Sequence, residues 1–269
     1  MNDVNLDQPP LHTQNPLGRF TNRATDYARY RPDYPGEAID AMLDGLAPVD
    51  ALVIADIGAG TGISARQFAD RGATVWAVEP NRAMREAAIP HERVEFRAAT
   101  AEETRLPDRS VDLLICCQSF HWFRPEASLA EFHRVLKPGG RIALMWNDRD
   151  LNDAFTCEYS QILRSGSDQS IFDRSDRKSS DALAYNPRFT NFRRHNFSHR
   201  YQVDLERLIG LTLSASYTQK EGLVYEQLLA DLESLYERWT QVMEDGQSTV
   251  QLIYYTNVYL AEAIVELAE

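Results

Sequence analysis

Between residues 51 and 148, short apolar runs alternate with longer amphipathic segments, and this alternation constrains the fold more than the overall composition does. The apolar runs predict strands at residues 51–56, 73–80, 93–99, 111–119 and 141–148. Helical periodicity marks the segments at residues 63–72, 81–88 and 125–140. Strands that alternate with helices build parallel βαβ units, and strands apolar on both faces are covered by helices on both sides. The sequence therefore predicts an α/β fold with a doubly wound, mostly parallel sheet.

The segments on either side of this region lack the alternation and divide the chain into three parts. Residues 1–17 are polar and contain a Pro-Pro pair, which is typical of a flexible tail. Residues 18–46 predict two helices that are separated by Pro32 and Pro35. We expect these helices to form an N-terminal lid on the α/β core, which extends over residues 18–150.

The last part, residues 151–269, predicts a helical cap together with the last strands of the sheet. Helical periodicity marks residues 151–166, 204–216 and 221–243. Residues 167–188 are polar and predict an irregular segment, and the alternation at residues 192–203 predicts an edge or antiparallel strand. Residues 248–263 predict a strand that runs into a helical tail. We expect this part to cover a ligand site on the core.

Charge and cysteine content argue against several classes of function. The chain has 269 residues and a formal charge of −12, and an acidic protein is repelled by the phosphates of nucleic acids. It contains neither a signal sequence at its start nor an apolar run of about 18 residues, so we expect no membrane association. Its three cysteines lack metal-ligand spacing and are odd in number. We therefore expect no metal and a cytoplasmic location, while the oligomeric state stays open.

The stretch DIGAGTGIS, residues 56–64, follows the first predicted strand and has the form of a nucleotide-binding turn. A dinucleotide fingerprint requires a third glycine at the sixth place of G-x-G-x-x-G, where this chain has Ile63. Glu79 ends the second predicted strand, where a carboxylate accepts hydrogen bonds from ribose hydroxyls and repels a 2′-phosphate. These residues disfavour NADP and are compatible with NAD or with S-adenosylmethionine (SAM).

Four stretches carry a resemblance to a known family. They are VIADIGAGTG, VWAVEPNRAMREAA, LPDRSVDLLICCQSFHWF and FHRVLKPGGRIALMW. In these stretches the chain resembles the class I SAM-dependent methyltransferases, and it looks closest to the small-molecule branch that includes trans-aconitate and juvenile hormone acid methyltransferases. The resemblance is close over about residues 18–148 and loose beyond. It implies a seven-stranded, Rossmann-like methyltransferase fold, SAM as the cofactor, S-adenosylhomocysteine as its product and no metal.

The resemblance also implies a set of cofactor-binding residues. They are Tyr27, Arg31, Asp56, Gly58, Ala59, Gly60, Gly62, Glu79, Pro80, Thr100, Ala101, Glu102 and Gln118. In this interpretation Asp56 orders the glycine turn and Glu79 holds the ribose hydroxyls. Many relatives have Asp at the position of Thr100, so backbone atoms of Ala101 are expected to recognise the adenine amine. Arg31 is expected to bind either the SAM carboxylate or an acidic substrate.

Two residues after the fourth predicted strand, His121 and Trp122, are the catalytic candidates, because ligands gather at the carboxyl ends of parallel strands. His121 has three open roles, as a general base, as a substrate contact and as a packed residue. The aromatic face of Trp122, Phe123 or Tyr27 is suited to attract a sulfonium cation. The expected substrate-binding residues are Tyr30, Ser119, His121, Trp122, Trp146 and Tyr217.

The predicted reaction is methyl transfer to a small-molecule carboxylate, amine or hydroxyl by in-line displacement in a capped pocket. A carboxylate needs no base at neutral pH, whereas an amine or a hydroxyl must lose a proton. An RNA or protein methyltransferase on the same fold is one alternative, although the acidic charge and the absence of an NPPY-type motif argue against it. A SAM-binding regulatory protein without turnover is the other alternative.

Overall fold

The computed structural model of the chain describes residues 10–15, 17–168, 172, 180–243 and 246–265. These residues form a mixed sheet in the order β3-β2-β1-β4-β5-β8-β6, with the short β7 paired to β8. The strands are β1 (Val53–Ile57), β2 (Thr74–Val78), β3 (Val94–Arg97), β4 (Val111–Cys117), β5 (Leu136–Arg149), β6 (Phe189–Val203), β7 (Gln241–Val242) and β8 (Ser248–Ala263). The five strands from β3 to β5 are parallel, and β8 is antiparallel to both of its neighbours.

Helices cover both faces of the sheet, as the nearly continuous apolar strands predict. The α-helices are α1 (Ala24–Tyr30), α2 (Gly36–Leu43), α3 (Ile63–Ala69), α4 (Arg82–Glu86), α5 (Pro125–Val135), α6 (Ala154–Ser165), α7 (Asp181–Ala184), α8 (Leu205–Ser214) and α9 (Gly222–Trp239). Ile39 and Phe68 pack on one face of the sheet, and Leu129 and Phe132 pack on the other. The predicted doubly wound fold is thereby confirmed.

A third apolar cluster belongs to the C-terminal part of the chain. Side chains of α6, α8 and α9 pack together with the first half of β8, around Tyr159, Leu208, Leu232 and Leu252. Capping residues set where two of these helices begin, because Asp153 accepts a hydrogen bond from the Thr156 N–H and Asp204 accepts one from the Arg207 N–H. This cluster is the predicted helical cap, and it lies at the carboxyl end of β5.

Two predicted boundaries are wrong. The helix predicted at residues 125–140 ends at Val135, and the Lys-Pro-Gly-Gly stretch belongs to β5, where it makes an irregularity in the pairing with β4. A proline inside a helix removes a backbone donor, which explains the early end. Residues 248–263 form a strand as predicted, but the helical tail expected at its end is absent from the described residues, because β8 continues to Ala263 between β5 and β6. Part of the irregular segment at 167–188 and residues 1–9 of the predicted tail lie outside the described residues.

Residues 17–31, here named the strap, connect the core to the cap. The Asn81 side chain donates hydrogen bonds to the Leu17 carbonyl oxygen at 2.8 Å and to the Thr21 hydroxyl at 3.0 Å. At the other side, the buried Arg23 guanidinium donates to the carbonyl oxygens of Leu213 at 2.7 Å and Thr218 at 2.6 Å. The strap is therefore fastened on both sides by side chains that satisfy backbone oxygens.

Helix α1 of the strap lies so close to α8 that only glycine fits at position 210. A Cβ atom placed on Gly210 would overlap the ring of Tyr30. The Tyr30 hydroxyl donates a hydrogen bond to Glu206 at 2.9 Å, which holds the ring against the same helix. Gly210 therefore sets the distance between the strap and the cap.

A buried carboxylate lies at the carboxyl end of β1. Asp56 is fully buried and accepts a hydrogen bond from the Ser64 hydroxyl at 2.6 Å. Burial raises the pKa of Asp56 to about 7, although the hydrogen bonds from Ser64 and the Ala65 N–H act in the opposite direction. Asp56 connects β1 to the first turn of α3 beneath the glycine turn, and its surroundings favour the protonated form.

We predict that the effect of Gly210→Ala on the free energy of unfolding changes sign when Tyr30 is replaced by alanine. In the wild-type background the new methyl group should overpack Tyr30 and lower the free energy of unfolding by about 1–3 kcal/mol. In a Tyr30→Ala background the overlap is gone, and alanine should stabilise the helix by up to about 1 kcal/mol relative to glycine. Urea unfolding of the four proteins measures both effects. Equal effects in the two backgrounds would contradict the proposed contact.

We predict that Asp56→Asn removes a pH dependence of stability. A carboxyl whose pKa is about 7 when folded and about 4 when unfolded stabilises the protein at low pH and loses that contribution as pH rises from about 4 to 7. The difference in unfolding free energy between wild type and Asp56→Asn should therefore fall by roughly 1 kcal/mol per pH unit in this window and level off above it. Urea unfolding between pH 5 and 8 tests this, with the exposed Asp50→Asn as the control that should follow wild type.

Candidate active site

Two cavities meet at the carboxyl ends of β1, β2, β4 and β5, where the order of a doubly wound sheet reverses and ligands bind. The loop cavity lies between the glycine turn, the end of β2 and the strap. The cap cavity lies between the end of β5, helices α6 and α8, and the strap. The residues common to both walls are Phe20, Tyr27, Gln118 and Trp122. The two cavities therefore share a wall that includes part of the strap.

The glycine turn gives the loop cavity its floor. Gly58, Gly60 and Gly62 have positive φ angles of 68°, 58° and 74°, which side chains rarely adopt. A Cβ atom on Gly58 would lie 2.7 Å from the Cβ of Ser119, and one on Gly60 would lie 3.2 Å from the Cε of Met84. Gly58 and Gly60 line the cavity, and because side chains there would collide with Ser119 and crowd Met84, glycine keeps the bare backbone at the cavity wall.

The sequence predicted that Gly62 and Ala59 bind the cofactor, but neither residue lines the loop cavity. A Cβ atom on Gly62 would lie 2.9 Å from the ring of Phe96, so this glycine is required by packing against β3 and does not face the loop cavity. Ala59 is buried, and its backbone N–H donates to the Val78 carbonyl oxygen at 3.2 Å. Asp56 also lies beneath the turn and outside the cavity wall, where it orders the turn through Ser64.

The Glu79 carboxylate lies at the wall of the loop cavity and is only 8% exposed. One oxygen accepts a hydrogen bond from the Gly60 N–H at 2.9 Å, and the other accepts one from the Asn81 N–H at 2.8 Å. Burial raises the pKa of Glu79, whereas these two N–H groups and the charge of Arg85 lower it. The carboxylate is therefore held in a fixed orientation at the edge of the cavity.

Four further residues of the loop-cavity wall were also predicted from the sequence. Pro80, Thr100, Ala101 and Glu102 all line it. The Glu102 carboxylate accepts a hydrogen bond from the backbone N–H of Arg124 at 2.9 Å, which ties the segment after β3 to the start of α5. These residues form a continuous wall beside Glu79.

Gln118 follows β4 in a strained backbone conformation. Its φ of 58° is rare for a residue with a side chain, and such strain is concentrated at functional sites. Its N–H donates to the Met145 carbonyl oxygen at 2.8 Å, and the turn directs its side chain to both cavities. Ser119 donates a hydrogen bond to the Ile57 carbonyl oxygen at 2.7 Å and lines the loop cavity, not the cap cavity as predicted for a substrate contact.

The cap cavity carries cationic and aromatic side chains. Arg31 lines the cap cavity and is absent from the wall of the loop cavity. The sequence had left open whether Arg31 binds the SAM carboxylate or an acidic substrate. Its Nε donates to the Ser214 hydroxyl at 2.8 Å, and its guanidinium lies 5.0 Å above the ring of Tyr27. In the part of the chain that the structure describes, both of these partners are neutral. Arg31 therefore presents a positive charge to the cap cavity.

A second arginine and several phenol groups extend this surface. Arg149 at the end of β5 lines the cap cavity and lies 5.7 Å above the ring of Phe172. Burial raises the pKa of Tyr254, and the charges of Arg149 and Arg31 oppose that effect. The further aromatic residues of this wall are Tyr34, Tyr159 and Tyr217. Asp148 contributes one carboxylate, which accepts a hydrogen bond from Asn257 at 2.7 Å.

His121 and Trp122 follow β4 in the short 3-10 turn Phe120–Trp122. Trp122 lines both cavities and contacts Phe20 edge to face, with 5.8 Å between the ring centroids. His121 lines the cap cavity, and its Nδ1 accepts a hydrogen bond from the Trp146 indole N–H at 3.3 Å. Trp122 therefore lies at the junction of the cavities, and His121 lies beside it in the wall of the cap cavity.

Two predicted substrate contacts lie elsewhere. Trp146 is 1% exposed, because its side chain lies in the hydrophobic core behind His121 and packs against Tyr259. Tyr30 lines neither cavity, because its ring packs against Gly210 of α8 and its hydroxyl donates to Glu206. Tyr217 does line the cap cavity, in edge contact with Phe172.

Several wall residues were not singled out from the sequence for this role. In the loop cavity they are His12, Leu17, Phe20, Met84, Cys117 and Arg124. In the cap cavity they include Asn147, Asp148, Arg149, Leu163 and Thr212. Asn147, Asp148 and Arg149 come directly at the carboxyl end of β5, so the strand-end rule that identified Gln118 would also have found them. The others depend on tertiary packing that no local pattern reveals.

Neither metal ligation nor a membrane span is indicated by the described residues. Across the described ranges, no three His, Cys, Asp or Glu side chains are grouped to hold a metal ion. A separate search of the same ranges finds no helix with the length and apolarity needed to span a bilayer. Cys116, Cys117 and Cys157 carry free thiols.

Comparison with known proteins agrees with this geometry. Residues 55–144 match the family described as a methyltransferase domain. An uncharacterised methyltransferase of Mycobacterium tuberculosis is 36% identical over 201 residues, which are 74% of this chain and 76% of that protein. An uncharacterised methyltransferase of Schizosaccharomyces pombe is 36% identical over 152 residues, 55% of this chain and 60% of the relative.

Solved structures share the fold at low identity. A candidate type II methyltransferase of Anaeromyxobacter dehalogenans aligns with 88% of this chain and all of its own, with a TM-score of 0.61 and 21% identity. Phosphoethanolamine N-methyltransferase 2 of Haemonchus contortus aligns with 94% of this chain and 59% of its own, with a TM-score of 0.55 and 16% identity. Together with the sheet order, the glycine turn and the extended similarity to the mycobacterial protein, these matches lead to one conclusion: the chain belongs to the class I methyltransferase family.

Proposed function

We propose that the protein transfers a methyl group from SAM to a small acidic molecule, with SAM in the loop cavity and the acceptor in the cap cavity. One observation carries the proposal: a cavity with a fixed carboxylate adjoins a cavity with a positive charge across a shared wall of Tyr27, Gln118 and Trp122. The carboxylate suits the hydroxyls of a ribose, and the positive charge suits an anionic acceptor. The shared wall is where donor and acceptor would meet.

The loop cavity fits SAM in shape and in polarity. Gly58 and Gly60 present bare backbone at the cavity wall, and the Glu79 carboxylate lies at the same wall in a fixed orientation. Pro80, Thr100 and Ala101 form the side on which the adenine would lie. The Haemonchus contortus enzyme that shares this fold was solved with S-adenosylhomocysteine, which supports SAM as the donor here.

The acceptor side favours a small acid over a macromolecule. The strap and α8 form two sides of the cap cavity, so a protein side chain or a nucleotide within a chain would have to enter between them. Among the described residues of this wall, the charged groups are Arg31, Arg149 and Asp148, and Arg31 bonds to the neutral hydroxyl of Ser214. A carboxylate acceptor also agrees with the resemblance to the trans-aconitate and juvenile hormone acid branch. We also propose that the protein is located in the reducing cytoplasm, because its three cysteines carry free thiols.

The mechanism follows from the position of these groups. When bound, SAM supplies an electrophilic methyl group on a sulfonium that leaves as a neutral thioether. Transfer would join an acceptor carboxylate oxygen to the methyl carbon as the carbon–sulfur bond breaks, with the electron pair of that bond going to sulfur. No proton moves, because a carboxylate is ionised at neutral pH.

The protein contributes orientation and exclusion of water to this step. Arg31 and the cap wall hold the acceptor in line, and the faces of Tyr27 and Trp122 attract the positive charge of the donor. The strap covers the junction with Phe20, which keeps water away from the reacting atoms.

We predict that Glu79→Gln weakens SAM binding at least about tenfold, the value expected from losing charge-assisted hydrogen bonds of about 1–3 kcal/mol. Gln retains the shape of Glu, but its amide nitrogen cannot accept from a backbone N–H or from two ribose hydroxyls. Isothermal calorimetry with SAM measures the change. Glu86→Gln is the matched control, because the exposed Glu86 pairs only with Arg82 among the described residues. An unchanged SAM affinity in Glu79→Gln would refute the ribose assignment.

We predict that the methyl acceptor is a carboxylic acid and that Arg31→Met impairs its use. Wild-type protein is incubated with methyl-labelled SAM and a panel of carboxylic acids, amines and phenols. The label should then appear in the methyl esters of the acids. Arg31→Met should lower kcat/KM for those acids at least about tenfold through loss of a charged hydrogen bond, with the SAM affinity unchanged. Arg29→Met, which alters an exposed arginine two residues away, is the control.

The other outcomes of this assay separate the alternatives. Weakened SAM binding in Arg31→Met would assign Arg31 to the SAM carboxylate instead. Labelling of amines or phenols alone would overturn the acid assignment while leaving methyl transfer intact. SAM binding without release of S-adenosylhomocysteine from any acceptor, RNA and protein included, would favour a regulatory SAM-binding protein.

A further inference from the structure

The hydroxyl of Ser214, at the end of α8, makes two hydrogen bonds in which its roles are opposite. Ser214 is fully buried and lines neither cavity. Its hydroxyl donates to the Leu211 carbonyl oxygen at 2.6 Å. Because this bond uses the only proton of the hydroxyl, the oxygen acts as the acceptor for the Arg31 Nε–H at 2.8 Å. Ser214 therefore joins the last turn of α8 to the first residue after α1.

This bond divides the donors of the Arg31 guanidinium into two groups. A guanidinium is planar and carries five N–H donors in a fixed fork, one on Nε and four on Nη1 and Nη2. Ser214 occupies Nε, and within the described ranges the hydrogen bonds of the Arg31 side chain end there. The edge formed by Nη1 and Nη2 matches the two oxygens of a carboxylate, and Arg31 lines the cap cavity. Ser214 thus leaves the terminal edge of the guanidinium for an acid.

The backbone and the aromatic neighbour of Arg31 limit where its side chain reaches. Arg31 ends α1 in an extended conformation, with φ of −66° and ψ of 136°, which the following Pro32 favours. The guanidinium lies 5.0 Å above the ring of Tyr27, whose face attracts it. A cation above a ring is still able to rotate in its own plane, so the hydrogen bond to Ser214 is the contact that sets the direction of the terminal edge.

The end of α8 that carries Ser214 is itself fastened to the strap. The last four carbonyl groups of a helix have no partner within the helix. Here the Leu211 carbonyl accepts from the Ser214 hydroxyl, and the Leu213 carbonyl accepts from the Arg23 guanidinium at 2.7 Å. Arg23 belongs to the same strap as Arg31. Ser214 and Arg31 are therefore held in register by a second link between their two segments.

We propose that Ser214 is a positioning residue that determines specificity for acids: by holding Nε of Arg31, it directs the edge of Nη1 and Nη2 to the carboxylate of the methyl acceptor. This inference rests on the proposed function and deepens it. It assigns a role in acceptor choice to a serine that lines neither cavity and acts only through Arg31.

The first test observes the hydrogen bond directly by nitrogen-15 NMR of protein labelled at arginine, with Arg31→Met to assign the Nε–H signal of Arg31. In wild type this proton should exchange slowly with water, and Ser214→Ala should accelerate the exchange. Ser160→Ala is the matched control, because it removes another buried helix hydroxyl, which donates to the Thr156 carbonyl oxygen at 2.8 Å. Fast exchange of the Arg31 Nε–H in wild type would overturn the inference, even if Ser214→Ala fails to fold.

The second test is a double-mutant cycle in the methyl-transfer assay with the best carboxylic acid of the panel. Ser214→Ala should lower kcat/KM for the acid about fivefold or more, with a raised KM and an unchanged SAM affinity. In the Arg31→Met background the same replacement should change kcat/KM by less than about twofold, because its partner is gone. Equal losses in the two backgrounds would show a purely structural role and overturn the inference. A loss of SAM affinity would assign Ser214 to the donor site and overturn it as well.

A third measurement tests the division of the guanidinium without altering Ser214. Arg31→Lys keeps the positive charge, but an ammonium has no planar fork that bonds the serine and a carboxylate in fixed directions. We expect kcat/KM for the acid to fall about fivefold or more. Wild-type activity in Arg31→Lys would show that the charge alone suffices and would refute the role of Ser214.

These measurements separate the inference from the proposed function. If SAM does not bind to the wild-type protein, or if no acid is methylated, the proposed function fails and the role of Ser214 fails with it. If acids are methylated and Ser214→Ala behaves like Ser160→Ala, the proposed function stands and the role of Ser214 is refuted.

Discussion

The Glu79 carboxylate accepts hydrogen bonds from the backbone N–H groups of Gly60 and Asn81, and the candidate site depends on this pair. The first bond fixes the glycine turn after β1 against the end of β2. The second fixes Asn81, whose side chain holds the strap at Leu17 and Thr21. A single buried carboxylate thereby joins the floor of the loop cavity to its cover. Charge-assisted bonds of this kind are short and strong, which suits a group that orients several segments at once.

The fold was predictable from the sequence because the sheet is buried on both faces. Continuous apolar strands and amphipathic helices follow directly from that burial, and the glycine turn marks the point where β1 ends. One error, the helix carried past Val135, neglected the local effect of Pro138, and the other occurred where tertiary partners override the local pattern. Residues 248–263 remain a strand to the end because β8 has a neighbour on each side, and no property of those residues alone specifies two partners.

The candidate site was predictable on the side of the glycine turn and much less so on the side of the cap. Glu79 and Gln118 lie at strand ends, and strand ends converge in any sheet of this type. Arg31, by contrast, is oriented by Ser214, which is 183 residues away in sequence. Their spacing places Tyr27 and Tyr30 on one helix face, but the Tyr30 ring packs against Gly210. Only tertiary packing therefore determines which of the two tyrosines lines the cavities.

The position of Arg31 and Arg149 within an acidic protein has a consequence for association kinetics. An anionic ligand that approaches from a distance would meet a molecule with a formal charge of −12, and the attraction of Arg31 would act on it only near the cap cavity. Salt screens long-range repulsion over a Debye length of about 8–10 Å, whereas contacts inside a cavity are screened much less. For such a ligand, moderate salt would accelerate encounter with the protein more than it weakens the bound state, the reverse of ordinary electrostatic steering.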